Sequence, residues 1–350
     1  MNPRSNASLA SRFPLQRVAT AAALACGLML TACGGGSDDS TTTTTASSLS
    51  QPDATADSAN SASTGSDTAS AMDSIIDTTS ALAVTVAQPA SASSDRAQAL
   101  SASPSAAGSV TDVTVNCAGG GTAVLSITGG TALTELNGQL DAGEHYSVTY
   151  AQCTGAAGYA QLNGSVEMDV VSADPTTSPS TVSVNLTVTG LALTLPSGSA
   201  TLNGTATVSR SVATANGTTT TTSNVTVPSM TLATGFNSRT GSFTLSNLDA
   251  TRTLTSVAGV ATGSTYNGTH TLSGTANGRT FSMTVATDAN LSYDATGALV
   301  AGAWTVVRPT ATIATTVANG IVILTVDDGS NGTIDHTWTF PTAQLDAAAG

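Results

Sequence analysis

Four arginines fall at positions where strand alternation places apolar side chains. Arg210 shares its parity with Val208 and Val212, and Arg252 with Leu248, Ala250 and Leu254. Arg279 aligns with Phe281, Met283 and Val285, and Arg308 with Trp304 and Val306. His270 shares the parity of Tyr266 and Leu272. An unpaired guanidinium facing a sealed core is costly, because burial strips its hydration without a compensating partner. Two arrangements avoid that cost. In one, the arginines lie at strand ends and reach the rim along their aliphatic stems. In the other, the sheet curls around a cavity with an apolar wall and a few cations. That cavity would hold an amphiphile with an anionic head through Arg210, Arg252, Arg279, Arg308 and His270.

A second candidate is the run Asp327-Asp328-Gly329-Ser330-Asn331-Gly332-Thr333-Ile334-Asp335, where oxygen ligands are interrupted by glycine. Calcium takes six to eight oxygens, commonly from positions 1, 3, 5, 7, 9 and 12 of such a loop. Counted from Asp327, position 3 is Gly329 and position 12 is Trp338, so two ligands are missing. A polar hairpin turn is therefore the favoured reading. A calcium ion on Asp327, Asp328, Asn331 and Asp335 is the one cofactor the chain offers. The three histidines, His145, His270 and His336, fall on separate predicted strands, and no G-x-S-x-G elbow is present. The expectation is a protein that is not an enzyme.

Cysteine chemistry is sharper. Leu30-Thr31-Ala32-Cys33-Gly34 ends a thirteen-residue apolar run, Val18–Leu30, preceded by Arg4, Arg12 and Arg17. The run is too short to span a bilayer but suits a cleavable leader. Its end resembles the lipobox of bacterial lipoprotein signals, where a small residue precedes the cysteine that is diacylated. That resemblance implies cleavage before Cys33, export, and a lipid anchor on Cys33. Gly34 in the next position favours the outer over the inner membrane. Cys26 leaves with the leader. The remaining pair, Cys117 and Cys153, would sit in an oxidising compartment and is expected to form a disulfide. Closing a loop of about 37 residues contributes roughly 3–4 kcal/mol in the chain-entropy model.

Behind these residues lies an uneven chain. The leader covers 1–32. Residues 33–68 are nearly all Ser, Thr, Ala, Gly and Asp, including an unbroken Thr41–Thr45, and read as a lipid-anchored disordered tether. Met72, Ile75 and Ile76 fall at helical spacing, so 69–110 reads as a short helix followed by a Ser/Ala/Pro linker. From Thr111 the pattern turns to period two. Leu162, Val166, Met168 and Val170 alternate with Asn163, Ser165, Glu167 and Asp169; Val182, Val184, Leu186 and Val188 alternate with Ser183, Asn185 and Thr187. One apolar and one polar face per strand is the pattern of antiparallel sheet. Residues 111–346 are thus predicted to be an all-β domain of about fourteen to eighteen strands. It would be a long antiparallel meander curling into an open barrel or a two-layer sandwich, with a tail at 347–350. Asn-Gly at 163–164, 203–204 and 267–268 sits inside uninterrupted alternation, which predicts mid-strand glycine or a bulge rather than turns.

Charge restricts the partners. The chain has nine basic residues, all Arg, against twenty-two acidic ones, with a formal net charge of −13. Three of the arginines leave with the leader. An acidic chain repels nucleic acid and anionic lipid surfaces. Aromatic residues make up 3% of the chain, too few for the two girdles of a membrane-spanning β-barrel.

The tract 302–345, together with the lipobox, the Gly/Ser/Thr tether and the Thr-rich β region, resembles uncharacterised proteobacterial lipoproteins. The resemblance covers about two-thirds of the chain by compositional pattern. It implies location and fold and carries no activity. The resulting expectation is a non-enzymatic, lipid-anchored envelope lipoprotein with a structural or interaction role. The alternative is a binding module, a carrier or sensor for an anionic amphiphile. The membrane would be reached through the lipid, and other partners would be envelope proteins or the amphiphile.

Overall fold

Strand formation follows from alternation of β-branched and leucine residues with serine and threonine, which gives each strand one face to bury and one to hydrate. The computed structural model describes residues 49–87, 110–117, 119–130, 139–154, 161–195, 198–236, 239–276 and 279–348. Fourteen strands form one antiparallel sheet in sequence order. They are β1 (Val110–Asn116), β2 (Thr122–Gly129), β3 (Glu144–Thr154), β4 (Gln161–Asp174), β5 (Ser180–Leu195), β6 (Gly198–Ala215) and β7 (Thr218–Phe236). The others are β8 (Arg239–Val257), β9 (Val260–Ala276), β10 (Arg279–Asp294), β11 (Leu299–Arg308), β12 (Ala311–Ala318), β13 (Ile321–Asp328) and β14 (His336–Pro341). Among the described residues β1 and β14 do not pair with each other, so the sheet is an open meander. Among the described residues two helices accompany it: α1 (Gln51–Ala87) and the short α2 (Thr342–Ala348).

The strands obey their parity. Val184, Leu186, Val208, Val225, Leu248, Leu272, Val306, Ile313 and Leu324 are buried on the inner face. The outer face is hydroxyl-rich, with Thr187, Thr205, Ser229, Ser246, Thr271 and Thr284 aligned in register across β5 to β10. The mid-strand glycines lie within β4, β6 and β9, as alternation predicts. At Gly164 (φ +103) the register shifts, and a Cβ would stand 2.2 Å from the Gly190 carbonyl oxygen, which only glycine permits.

What the sheet curls around is α1. Every residue from Ala54 to Ser61, and Ala62 after them, is buried. Successive helical residues point about 100° apart, so burial of a continuous run means that this part of α1 is covered on all sides. It packs against β6 through β12. Its start is capped by Ser50, whose Oγ accepts from Asp53 N–H at 3.4 Å and donates to Asp53 Oδ2 at 2.5 Å. Pro52 sits in the first turn, where a missing N–H costs nothing.

This helix corrects the reading of the tether. Residues 51–68 are helix, continuous with the 69–87 segment, and not a disordered tether. The stretch carries no apolar stripe because no single face of it meets the core; all faces do. Small side chains allow the sheet to approach it closely, and six of its hydroxyls are satisfied by its own backbone. Thr55, Ser61, Ser63, Thr64, Ser74 and Thr78 each donate to the carbonyl four residues back. The supposed C-terminal tail is partly helical as well: α2 reaches Ala348 and buries Leu345. Cys33 lies outside the described residues.

Cys117 and Cys153 stand at disulfide-bonding distance, with Cα atoms 5.4 Å apart. The link joins the end of edge strand β1 to the end of β3, across β2.

Candidate functional site along the buried helix

The inward arginines meet α1. Arg308 Nη1 pairs with Asp57 Oδ2. Arg252 Nη1 donates to Asp73 Oδ2 at 3.3 Å, and the same carboxylate accepts from Ser223 Oγ at 2.8 Å. Arg210 Nη1 donates to Asp77 Oδ1 at 2.5 Å, while its Nε lies 3.8 Å from Asp73 Oδ1. Asp57 and Asp73 side chains are each 7% exposed, so these are interior pairs. Sixteen residues of helix turn Asp57 about 160° away from Asp73, so β11 and β8 approach α1 from opposite sides.

Between the ion pairs runs a line of polar contacts. Ser58 Oγ and Thr315 Oγ1 are 2.6 Å apart, and Trp304 Nε1 donates to the Ser58 carbonyl at 3.1 Å. His270 Nε2 is 3.1 Å from the Ser61 carbonyl, which can only accept, so Nε2 carries the proton. Gly65 then passes Tyr266 and His270 so closely that a Cβ would lie 2.4 Å from Tyr266 Oη and 2.7 Å from His270 Nδ1. At the start of the helix, Leu49 N–H donates to the Asp328 carboxylate at 3.2 Å. Contacts along α1 therefore descend the strand order from β13 at Leu49 to β6 at Asp77.

Burial sets the electrostatics. It pushes Asp57 up to about 6, against the pull of Arg308. It pushes His270 down to about 4, opposed by the hydrogen bond to Ser61. Burial also works against the Arg210 charge, but Asp73 and Asp77 outweigh it and hold the guanidinium above its ordinary range.

Of the predicted amphiphile-binding residues, Arg210, Arg252, Arg308 and His270 come together on the inner wall. The backbone of Arg279 opens β10, and its side chain lies outside the described ones. The cavity that reading requires is occupied by the chain's own helix. Clefts among the described residues include one of about 240 Å³ beside Arg210 and Val182, one of about 220 Å³ beside Tyr293 and Leu345, and one of about 40 Å³ beside Met72. Each is below the roughly 300 Å³ at which pockets for small molecules begin.

The Asp327–Asp335 segment is a turn whose oxygens serve its own backbone. Asp327 accepts from Asn331 and Gly332 N–H, Asn331 Oδ1 from Thr333 N–H, and Asp335 from Asp328 N–H. Asp328 is directed to Leu49 and, at 3.4 Å, to His336. The four do not converge as calcium ligands. Among the described residues no three His, Cys, Asp or Glu side chains are grouped to hold a metal. The three histidines occupy separate places. His145 bonds Asp169 at 2.6 Å, 38% exposed; His270 is in the core; His336 stacks on Trp338 in edge strand β14.

Parity located the arginines but not their partners. Asp57, Ser58 and Gly65 lie in sequence of tether composition, and Asp73 and Asp77 in the predicted short helix, where nothing marks them as partners of the sheet. The one available signal was the count of inward cations without inward acids on the strands. No protein-family model, curated protein or solved structure matches this chain.

Proposed function

We propose that this chain is a non-enzymatic, lipid-anchored lipoprotein of the Gram-negative envelope, outer membrane rather than inner, with a structural or interaction role. The observation that carries the reading is the filling of the inner face by α1, with Asp57, Asp73 and Asp77 opposite Arg308, Arg252 and Arg210. The groups left for other molecules are then those of the outer face, the Ser, Thr and Asn side chains of β5 to β10. A face of that composition is at ease in water and unsuited to lipid. Thioether-linked acyl chains on Cys33 would supply the membrane attachment.

Cys33 precedes Leu49 by sixteen residues. Because Leu49 is fastened to Asp328, the anchor would leave from the β13–β14 turn. Labelled palmitate should enter the wild-type chain and not Cys33→Ser, and membrane fractions should retain only the former. Equal membrane retention of both, with no label in either, would contradict the reading.

A second reading, amphiphile binding, is favoured by one specific observation. Three arginines and a histidine share the inner wall with apolar side chains, which is the chemistry of an anionic head and an acyl chain.

A further inference from the structure

We infer that α1 is a displaceable occupant of the site it fills, and that its carboxylates stand where the head group of an anionic single-chain amphiphile would sit. The inference rests on the second reading above and assigns it a location. The wall matches such a ligand: the strands that carry Arg308, Arg252 and Arg210 also carry the buried Trp304, Leu248 and Val208. Removing α1 would open a channel about as wide as a slim helix, which is ample for an acyl chain.

The helix is a poor permanent core element. Among its described side chains, Met72 and Ile76 are the large ones fully buried; most of the 37 residues are Ala, Ser, Thr and Asp. Little apolar area is gained against the entropy of ordering so many residues. Hydrogen bonding across the interface is also incomplete. On α1, Asn60 Oδ1 and Thr79 Oγ1 are buried without a hydrogen-bond partner among the described residues. On the wall, the same holds for Arg210 Nε, Tyr266 Oη and His270 Nδ1. Each such group weakens the association, because no hydrogen bond from the other side replaces the one it would make to water. Buried ion pairs add direction but little net stability. An incoming carboxylate or phosphate would replace Asp73 on Arg252 while its chain replaced small helical side chains with better apolar contact.

The test uses the chain from Gly34 onward, exported so that the disulfide forms, with hexadecanoate and hexadecyl phosphate as probes. Native mass spectrometry reads stoichiometry, and amide exchange reads α1. The inference expects one bound probe and at least tenfold faster exchange over 51–87, with β6 to β12 unchanged. Asp73→Asn should tighten binding at least threefold. Arg252→Gln should weaken it at least tenfold in a chain with wild-type circular dichroism, whereas Arg308→Gln, on the opposite side, should weaken it less than threefold; equal losses for the two would overturn the placement of the head group. A bound probe with α1 exchange unaltered would overturn the displacement and leave amphiphile binding standing. No bound probe in either wild type or Asp73→Asn would overturn both. Preference between the two probes distinguishes fatty acid from phospholipid-type heads.

Discussion

Arg252 on β8 and Asp73 on α1, 179 residues apart in sequence, meet with 3.3 Å between Nη1 and Oδ2. Both side chains are at most 10% exposed. Removing one member of such a pair leaves the other charged and dry. Asp73→Ala should therefore destabilise the protein by about 3–5 kcal/mol in urea titration, whereas Asp73→Leu with Arg252→Met should cost far less. Equal losses for the single and double variants would mean that the pair does not couple.

Gly65 yields a prediction against helix propensity. Alanine there would gain about 1 kcal/mol in an exposed helix. Here its Cβ would stand 2.4 Å from Tyr266 Oη, so Gly65→Ala should instead destabilise by about 1–3 kcal/mol. Tyr266→Phe removes an orphaned hydroxyl, so it should leave stability unchanged or raise it, and it should soften the cost of Gly65→Ala. Thermal melts of the three variants decide this.

Acid should act through two groups of opposite sign. Asp57, at about 6 in the fold against an ordinary 3.8, binds its proton more tightly when folded. Its penalty is present at neutral pH and is relieved as pH falls through 6. His270, at about 4 against 6.5, is held neutral, and its contribution is lost as pH falls from 6.5 toward 4. The two offset each other, so stability of the wild type should change little between pH 4 and 6. Asp57→Asn should make it fall on acidification and His270→Gln should make it rise, each by up to ~1.4 kcal/mol per pH unit.

Edge strand β1 pairs with β2 alone, and the Cys117–Cys153 link ties its end to β3. Replacing both cysteines with serine should cost about 2–4 kcal/mol. The loss should appear first as faster amide exchange in Val110–Asn116. Uniform acceleration across all strands would show that the link does not act on the edge.

The sheet was legible because period-two alternation survives any tertiary context in which one face is buried. Gly164 and Gly204 were placed inside strands for the same reason: alternation ran through them. The parity of Arg210, Arg252 and Arg308 was equally plain. Their partners were not, since helix recognition from sequence depends on an apolar stripe, and α1 has one only near Met72, Ile75 and Ile76. A helix segment enclosed by a sheet is selected for smallness, and smallness is also what a disordered linker shows. Asp57 therefore reads as a solvated linker charge, while Asp73 falls in the short predicted helix with nothing in the sequence to name its partner. The turn at Asp327–Asp335 carried calcium-like oxygens, yet their use as backbone acceptors depends on local geometry that spacing does not reveal.

The segment of α1 from Ala54 to Ala62 lies inside the sheet. Ser58 Oγ and Thr315 Oγ1, 2.6 Å apart, offer the most direct test of that placement. In the exported chain carrying Ser58→Cys and Thr315→Cys, mass mapping after trypsin should find the α1 and β12 peptides joined by a disulfide, alongside Cys117–Cys153. Both new thiols free, in a chain whose strands remain protected from exchange, would place α1 elsewhere and contradict the account.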